Sequence, residues 1–215
     1  MSMADKTQAK SAAGGAPLRP VRLGSPDFLL DARPDGSIHV RSPHKLEAYP
    51  DKITERLVHW AAVAPDRVFI AQRRASGEWR TLTYSETLAQ VQGIAQALLD
   101  RKLSAERPVA ILSGNDIEHA LLALAAMYVG IPYVLIEASQ LERATELLTP
   151  GLVVTSEVPK AVATPAVDRA HAEVTPDSIA AFAWTEDSNA VVWTHRRLTS
   201  AQEMARGGGT PTFGS

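Results

Sequence analysis

The chain has 215 residues, of which 22 are Lys or Arg and 24 are Asp or Glu, and it contains no cysteine. A net charge of -2 leaves no electrostatic footprint for nucleic acid or an anionic membrane. The missing thiols exclude disulfides, thiolate metal sites and cysteine nucleophiles. With 45% apolar and 21% charged residues, the composition is that of a folded globular chain. We therefore predict a folded chain in the cytoplasm, without nucleic acid or membrane partners.

Both ends of the chain are predicted to lack regular structure. Residues 1–20 are small, polar and aperiodic, which is typical of a disordered leader, and they contain no apolar stretch of the kind found in secretory signal peptides. Residues 206–215 are rich in glycine and are interpreted as a flexible tail. The regular elements are expected between these segments.

Two hairpins, each followed by a helix, are predicted in the first half. The first hairpin turns at Asp35-Gly36 and the second at Gly77, in both cases between short apolar runs. Thr54 is expected to cap the first helix. Thr83 and Glu86 have the spacing of a capping box, which predicts the start of the second helix.

The next segment predicts a strand, a buried helix and a second strand. Residues 108–112 and 133–136 are almost wholly apolar, which is typical of strands covered on both faces. Asn115 and Glu118 repeat the capping-box spacing between them. This order implies a right-handed parallel crossover. Residues 120–136 carry no charge, but Gly130 and Pro132 interrupt them, so a membrane span is not expected.

The remaining elements are shorter. We predict a helix at 141–148, a strand at 152–155, a connector at 156–174, and a region at 175–205 with two strands and a final helix. The predicted class is α/β, a partial doubly wound sheet with parallel strand–helix–strand units in residues 21–155.

Few residues are arranged for chemistry. The six histidines never occur in metal-ligand spacing, so no metal site is predicted. The turn at 113–116, between a strand and a helix N-terminus, is either an anion site or a simple cap. The four tryptophans are either an aromatic ligand site or core packing; they are Trp60, Trp79, Trp184 and Trp193.

Several segments together resemble the AMP-forming acyl-CoA synthetases, and feruloyl-CoA synthetases in particular. The resemblance covers 45–155 well and 175–205 in part. It rests on Trp60-Ala61, Ala64-Pro65-Asp66-Arg67, Glu78-Trp79-Arg80, Leu82-Thr83-Tyr84-Ser85-Glu86, residues 108–115 and 118–133, and Leu147-Leu148-Thr149-Pro150-Gly151-Leu152-Val153. It implies adenylation of a carboxylate by Mg-ATP, followed by thioester formation with coenzyme A. It also implies the doubly wound fold of the ligases' N-terminal subdomain.

The phosphate-binding loop departs from this pattern. The resemblance implies a Ser-, Thr- and Gly-rich loop that ends in Lys, shortly before a Thr-His pair, which is Thr194-His195 in this sequence. Residues 185–193 are shorter and contain neither Gly nor Lys. Thr185 and Ser188 match family hydroxyls and are the candidate cofactor-binding residues. Glu186 and Asp187 bring negative charge to the position expected for the triphosphate.

Three hypotheses follow. The chain is an active ligase, a truncated or degenerate ligase that does not catalyse adenylation or thioester formation alone, or a repurposed interaction module on the same scaffold. We favour the second, with a nucleotide or an aryl acid bound at most weakly. The third predicts self-association through an exposed sheet edge.

Overall fold

The computed structural model describes residues 27–43, 45–112, 114, 116–185 and 189–207. The predicted leader at 1–20 and most of the predicted tail lie outside this part of the chain. The chain divides into two compact units, Met1–Lys45 with Ala205–Ser215, and Leu46–Met204. Each unit is described by itself.

The smaller unit contains the predicted hairpin. Strands β1 (Leu29–Ala32) and β2 (Ile38–Arg41) pair antiparallel. Gly36 adopts a φ of 85°, a conformation that favours glycine. Asp35 Oδ1 accepts hydrogen bonds from both the backbone N–H and the hydroxyl of Ser37. The turn at Asp35-Gly36 is therefore confirmed.

The larger unit begins with α1 (Thr54–Val63), followed by the second hairpin, β3 (Val68–Arg73) and β4 (Trp79–Thr83). The prediction that Thr54 caps α1 is wrong. Ile53 occupies the cap position without a side-chain hydrogen bond. Thr54 is the first helical residue and is buried, so its hydroxyl does not reach the free N–H groups of the first turn.

Helix α2 (Tyr84–Asp100) begins at the predicted capping box. Glu86 N donates to Thr83 Oγ1 at 3.2 Å, and Thr83 N donates to Glu86 Oε2 at 2.8 Å. Val91 and Leu98 are fully buried on the helix face that packs into the core. The capping box and the apolar stripe predicted from the sequence are confirmed.

A five-stranded sheet forms the centre of the larger unit. Its strand order is β7-β5-β6-β8-β9, with the first four strands parallel and β9 antiparallel. The elements are β5 (Val109–Ile111), α3 (Ile117–Tyr128), β6 (Tyr133–Leu135), a 3₁₀ turn (Ala138–Gln140), α4 (Leu141–Leu148), β7 (Leu152–Val154), α5 (Pro165–Glu173), β8 (Ile179–Trp184), β9 (Ala190–Thr194) and α6 (His195–Gly207).

The sheet is wound on both faces. Val109 and Ile111 point into a core built with α2, α3 and α5, whereas Ala110 and Val134 pack with Ala144 of α4. Alternate residues of a strand point to opposite faces, so these two clusters lie on opposite sides of the sheet. The predicted α/β class with parallel crossovers is confirmed.

Segment 156–174, which we interpreted as a connector, contains α5. Thr164 caps this helix and Pro165 occupies its first turn. Val167 is buried in the core. Before the helix, Ala161 N donates to Gly93 O of α2 at 3.0 Å, and a Cβ on Gly93 would lie 3.0 Å from Ala161 O. The segment therefore packs on α2.

Helix α3 is capped by Asp116, whose Oδ1 accepts from His119 N at 2.8 Å. The predicted capping box of Asn115 and Glu118 is wrong, because the cap lies one residue later. In the part of the chain that the structure describes, no helix is long and apolar enough to cross a membrane. The charge-free stretch 120–136 divides into the end of α3, a turn and β6.

Candidate functional site

The connections that follow β5 and β6 diverge at the carboxyl ends of these two strands. The chain leaves β5 toward α3 on one face and leaves β6 toward α4 on the opposite face. In open α/β sheets, ligands bind in the crevice where neighbouring connections diverge in this way. This edge of the sheet is therefore the first place to look for a site.

A cleft of about 580 Å³ lies at this edge. Its walls are mostly apolar, and its volume falls in the range of small-molecule pockets. Side chains from β5, β6, β8, β9 and α6 line it, among them Ile111, Tyr133, Leu135, Trp184, Trp193 and Leu198. Residues far apart in the sequence thus meet in one concave surface.

Aromatic rings supply much of the wall. Burial raises the pKa of Tyr133, so its phenol stays neutral over the physiological range. Trp184 Nε1 is buried without a hydrogen-bond partner among the described residues. Arg197 stacks on the ring of Trp193 at 4.6 Å and donates to Val192 O at 3.3 Å. The Trp193 indole is thereby held in place.

The polar rim of the cleft is a short turn in which Glu137 and Gln140 are hydrogen-bonded to each other. Glu137 N donates to Gln140 Oε1 at 3.1 Å, and the Glu137 carboxylate accepts from the backbone N–H of Gln140. These bonds close the 3₁₀ turn between β6 and α4. The Glu137 side chain is therefore fixed by the backbone at the mouth of the cleft.

The predicted phosphate loop connects β8 to β9. Thr185 N donates to Asn189 O at 2.9 Å, and Asn189 N donates to Thr185 Oγ1 at 3.2 Å. The Thr185 hydroxyl also lies 3.2 Å from Asn189 O. Ser188, the other predicted cofactor-binding residue, lies outside the described residues, as do Glu186 and Asp187. The polar groups of Thr185 are thus engaged in closing the hairpin.

The turn at 113–116 was the other candidate for anion binding, and Ser113 and Asn115 lie outside the described residues. Asp116 places its own carboxylate at the start of α3. Glu118, in the first turn, forms an ion pair with Arg80 of β4. Although burial acts in the opposite direction, the hydrogen bond and charge of Arg80 hold the pKa of Glu118 below its ordinary value. Carboxylates of the protein itself therefore stand where an anion would bind.

The four tryptophans fall into two groups. Trp184 and Trp193 line the cleft. Trp60 packs against Tyr84 at a ring separation of 6.2 Å, and Trp79 is 65% exposed on the second hairpin. The structure thus brings two of the four indoles together.

A buried polar cluster lies among α1, α3, α5 and α6. Lys52 Nζ donates to His171 O at 2.8 Å, and the His171 ring stacks on Tyr128 at 3.9 Å. His195, the first residue of α6, is 0% exposed, and neither ring nitrogen has a hydrogen-bond partner among the described residues. Burial, with the neighbouring Lys52 and His171, lowers the pKa of His195 to about 4. His195 is therefore neutral at pH 7.

Comparison with known families decides the broad class. Residues 57–188, more than half of the chain, match the family model of the AMP-binding enzymes. The chain belongs to this family of adenylate-forming ligases. Among the described residues, no group of three or more His, Asp or Glu is placed to hold a metal ion.

Solved structures agree on the fold. The fatty acyl-adenylate ligase of L. pneumophila, in complex with acyl adenylate and pyrophosphate, is 15% identical with a TM-score of 0.58 over 70% of this chain and 32% of its own. VinN is 19% identical with a TM-score of 0.60 over 75% of this chain and 50% of its own. The N-terminal subdomain of Klebsiella oxytoca NpsA, in complex with 3-hydroxyanthranilyl-AMSN, is 17% identical with a TM-score of 0.53 over 68% and 41%.

The chain therefore spans a third to a half of the length of these three relatives. No curated protein matches it in sequence. At identities below a fifth, the shared feature is the arrangement of helices and strands.

The cleft is not apparent from the sequence alone. The sequence predicts a buried strand at 133–136, which contains Tyr133 and Leu135, and places Trp193 in the region at 175–205 with two strands. One signal was present: Trp184 is the last residue of β8 and Trp193 lies near the end of β9, so both strands that flank the predicted loop carry a large aromatic residue. Their meeting with Ile111 and Leu198 depends on strand order, which the sequence does not encode locally.

Proposed function

We propose that this chain is a feruloyl-CoA synthetase-like member of the family that does not itself catalyse adenylation or thioester formation. The observation that carries the proposal is the closed hairpin at Thr185 and Asn189. A phosphate-binding loop works through backbone N–H groups and hydroxyls that are free to surround phosphate oxygens. Here the N–H groups of both residues, and the Thr185 hydroxyl, bond within the hairpin.

The charge of the loop supports the same proposal. Glu186 and Asp187 stand in the segment that would meet a triphosphate, and no Lys or Gly occurs between Thr185 and Trp193. Two like charges about 4 Å apart repel by about 1 to 4 kcal/mol, depending on the local dielectric. A phosphate group there would meet repulsion without a compensating cation.

The residues of the β8–β9 connection do not fit the triphosphate of the Mg-ATP that the family resemblance implies; coenzyme A is the other cofactor that it implies. Thr185 and Ser188 remain the proposed contacts for a nucleotide, at most weakly bound. An aryl acid is the proposed second ligand, also weak. We place the chain in the cytoplasm as part of this proposal, with which the cysteine-free sequence agrees.

ATP–pyrophosphate exchange with ferulate and a panel of aryl and short acids tests the proposal. We expect no exchange above background with any acid. Exchange with even one acid would contradict it. Calorimetric titration with ATP and AMP measures the weak binding separately.

A pair of neutralising changes tests the electrostatic argument. In Glu186→Gln with Asp187→Asn, we expect ATP to bind about tenfold more tightly, because two like charges near the phosphates are removed. AMP, with fewer phosphates, should gain less. Glu173→Gln, on the exposed end of α5, is the matched control and should change neither affinity. Unchanged ATP binding in the double variant would rule out these carboxylates as the cause.

A second candidate, a non-catalytic interaction module, is favoured by the edges of the sheet. Among the described strands, β7 and β9 each pair with one neighbour, and Val153 and Val192 on them are 39% and 44% exposed. An open edge can pair with another copy of the chain. Sedimentation at increasing concentration should then show dimers, and Val192→Lys should reduce them. A monomer at all concentrations would contradict this second candidate and leave the inactive ligase as the remaining proposal.

A further inference from the structure

The charge at the cleft limits the class of ligand that it can hold. Of the described residues that line it, Glu137 is the one carboxylate and His119 the one histidine, and neither Lys nor Arg is among them. A ligand carboxylate would lose hydration without meeting a Lys or Arg side chain in the lining, and it would lie near the carboxylate of Glu137. The lining therefore favours a ligand without negative charge.

The aromatic walls of the cleft favour a flat ligand. Tyr133, Trp184 and Trp193 present ring systems from three adjacent strands, β6, β8 and β9. Aromatic rings attract one another in offset-stacked or edge-to-face contact. Arg197 lies over Trp193 and also bonds Val192 O, so this ring is held without a ligand.

One wall residue also has an unused donor. Trp184 Nε1 has no hydrogen-bond partner among the described residues, although the atom is buried. An indole N–H only donates, and a buried donor without a partner is unfavourable. A ligand with a neutral acceptor, such as an amide carbonyl or an ether oxygen, would satisfy it once the ring turns this edge toward the cleft.

We propose that this cleft binds an uncharged planar aromatic molecule that carries a hydrogen-bond acceptor, and that it disfavours the corresponding aryl carboxylate. The cleft lies beside the Thr185–Asn189 turn that the proposed function concerns, and its lining residues Trp184 and Trp193 belong to the strands that this turn connects. Binding here does not require adenylation. Pyrophosphate exchange and binding in the cleft can therefore succeed or fail independently.

Cinnamamide and cinnamate provide a matched test, because they share shape and ring but differ in charge. The indole N–H signals of ¹⁵N-labelled protein give four reporters, assigned with single Trp→Phe variants. We expect cinnamamide to shift the signals of Trp184 and Trp193 while those of Trp60 and Trp79 stay in place. Cinnamate should bind about tenfold more weakly, since its charge is left unpaired beside Glu137.

Glu137→Gln tests the source of this preference. The amide oxygen preserves an acceptor for the 3₁₀ turn, so the fold should be kept, as the unchanged Trp60 and Trp79 signals would verify. Cinnamate affinity should rise toward that of cinnamamide, whose own affinity should stay within about twofold. Glu142→Gln, exposed on α4, is the matched control and should alter neither ligand.

Three results would overturn the proposal. The first is cinnamate binding as tightly as cinnamamide to the unchanged protein. The second is a response confined to Trp60 or Trp79, which would place the ligand elsewhere. The third is no shift of any indole signal at millimolar cinnamamide.

Discussion

The central sheet has two halves that differ in burial although both are mostly apolar in sequence. The closed half is formed by β7, β5 and β6, and the open half by β8 and β9. All three residues of β5 are 1% exposed or less, and the strand has a neighbour on each side. Most residues of β8 and β9 are half-buried, and together they form one wall of the cleft. An apolar strand that the fold leaves partly open is available for binding, whereas the closed half supplies stability.

The largest expected difference between the halves concerns two leucines. Leu98 of α2 is fully buried in the cluster that contains Val109 and Ile111, whereas Leu198 of α6 is half-buried in the cleft wall. We expect Leu98→Ala to lower the free energy of unfolding by about 3 to 5 kcal/mol, because a cavity remains in a packed core. Leu198→Ala should cost about 1 kcal/mol, since part of that surface already meets water. Equal losses in urea titrations would show that the halves are packed alike.

Acid is expected to lower the free energy of unfolding through His195, the buried residue that follows β9. Its pKa is lowered to about 4 in the fold from an ordinary value of 6.5. The unfolded chain therefore binds the proton first, and stability falls as the pH drops from about 6.5 toward about 4. The loss reaches about 3 kcal/mol for a shift of this size.

Urea titrations between pH 7.5 and 4.5 measure this effect. His195→Leu should flatten the profile below pH 6.5, whereas His59→Gln, on the exposed face of α1, should leave it unchanged. A profile that keeps its slope in His195→Leu would assign the acid sensitivity to other groups. His171, whose pKa burial also lowers, is the next residue to test.

The smallest expected effect concerns the closed half. Gly151 precedes β7, and its N–H donates to Pro108 O at 2.9 Å. A Cβ there would lie 2.6 Å from Leu103 Cδ2 and 3.0 Å from Arg107 Cβ. Gly151→Ala should therefore cost about 1 to 3 kcal/mol of stability. At Gly114 a Cβ would meet nothing within 4 Å, so Gly114→Ala is the matched control. A Gly151→Ala melting temperature equal to that of the control would mean that the neighbours move aside freely.

Local signals predicted much of the fold. The capping box at Thr83 and Glu86 marks the start of α2 because both partners lie within one helical turn. Helix α4 has the bounds that the sequence predicts, 141–148, and strands β8 and β9 lie in the region predicted to hold two strands. These elements depend on neighbours in sequence, so the sequence is sufficient to place them.

The features that the sequence did not predict correctly depend on contacts between residues that lie far apart in the chain. Ala and Val recur in 156–174 without a clear period, which predicts a connector, although Thr164-Pro165 is a helix start signal and α5 begins there. Ile53 rather than Thr54 caps α1, since Thr54 is buried in the packed unit. The cleft depends on β6 and β8 being neighbours, and Val134 of β6 pairs with Phe182 of β8, which lies 48 positions later in the chain.

 No pattern within a single element specifies that pairing.

The contact between Gly93 and Ala161 has a consequence for how the cleft is assembled. The chain passes from β7 at one edge of the sheet to β8 beyond β6, and Ala161 is fastened to α2 on the way. Because a Cβ on Gly93 would lie too close to the carbonyl oxygen of Ala161, this hydrogen bond requires a residue without a side chain at position 93 of α2. We expect the β8–β9 wall of the cleft to depend on this contact, because the segment that packs on α2 is the one that carries the chain from β7 to β8.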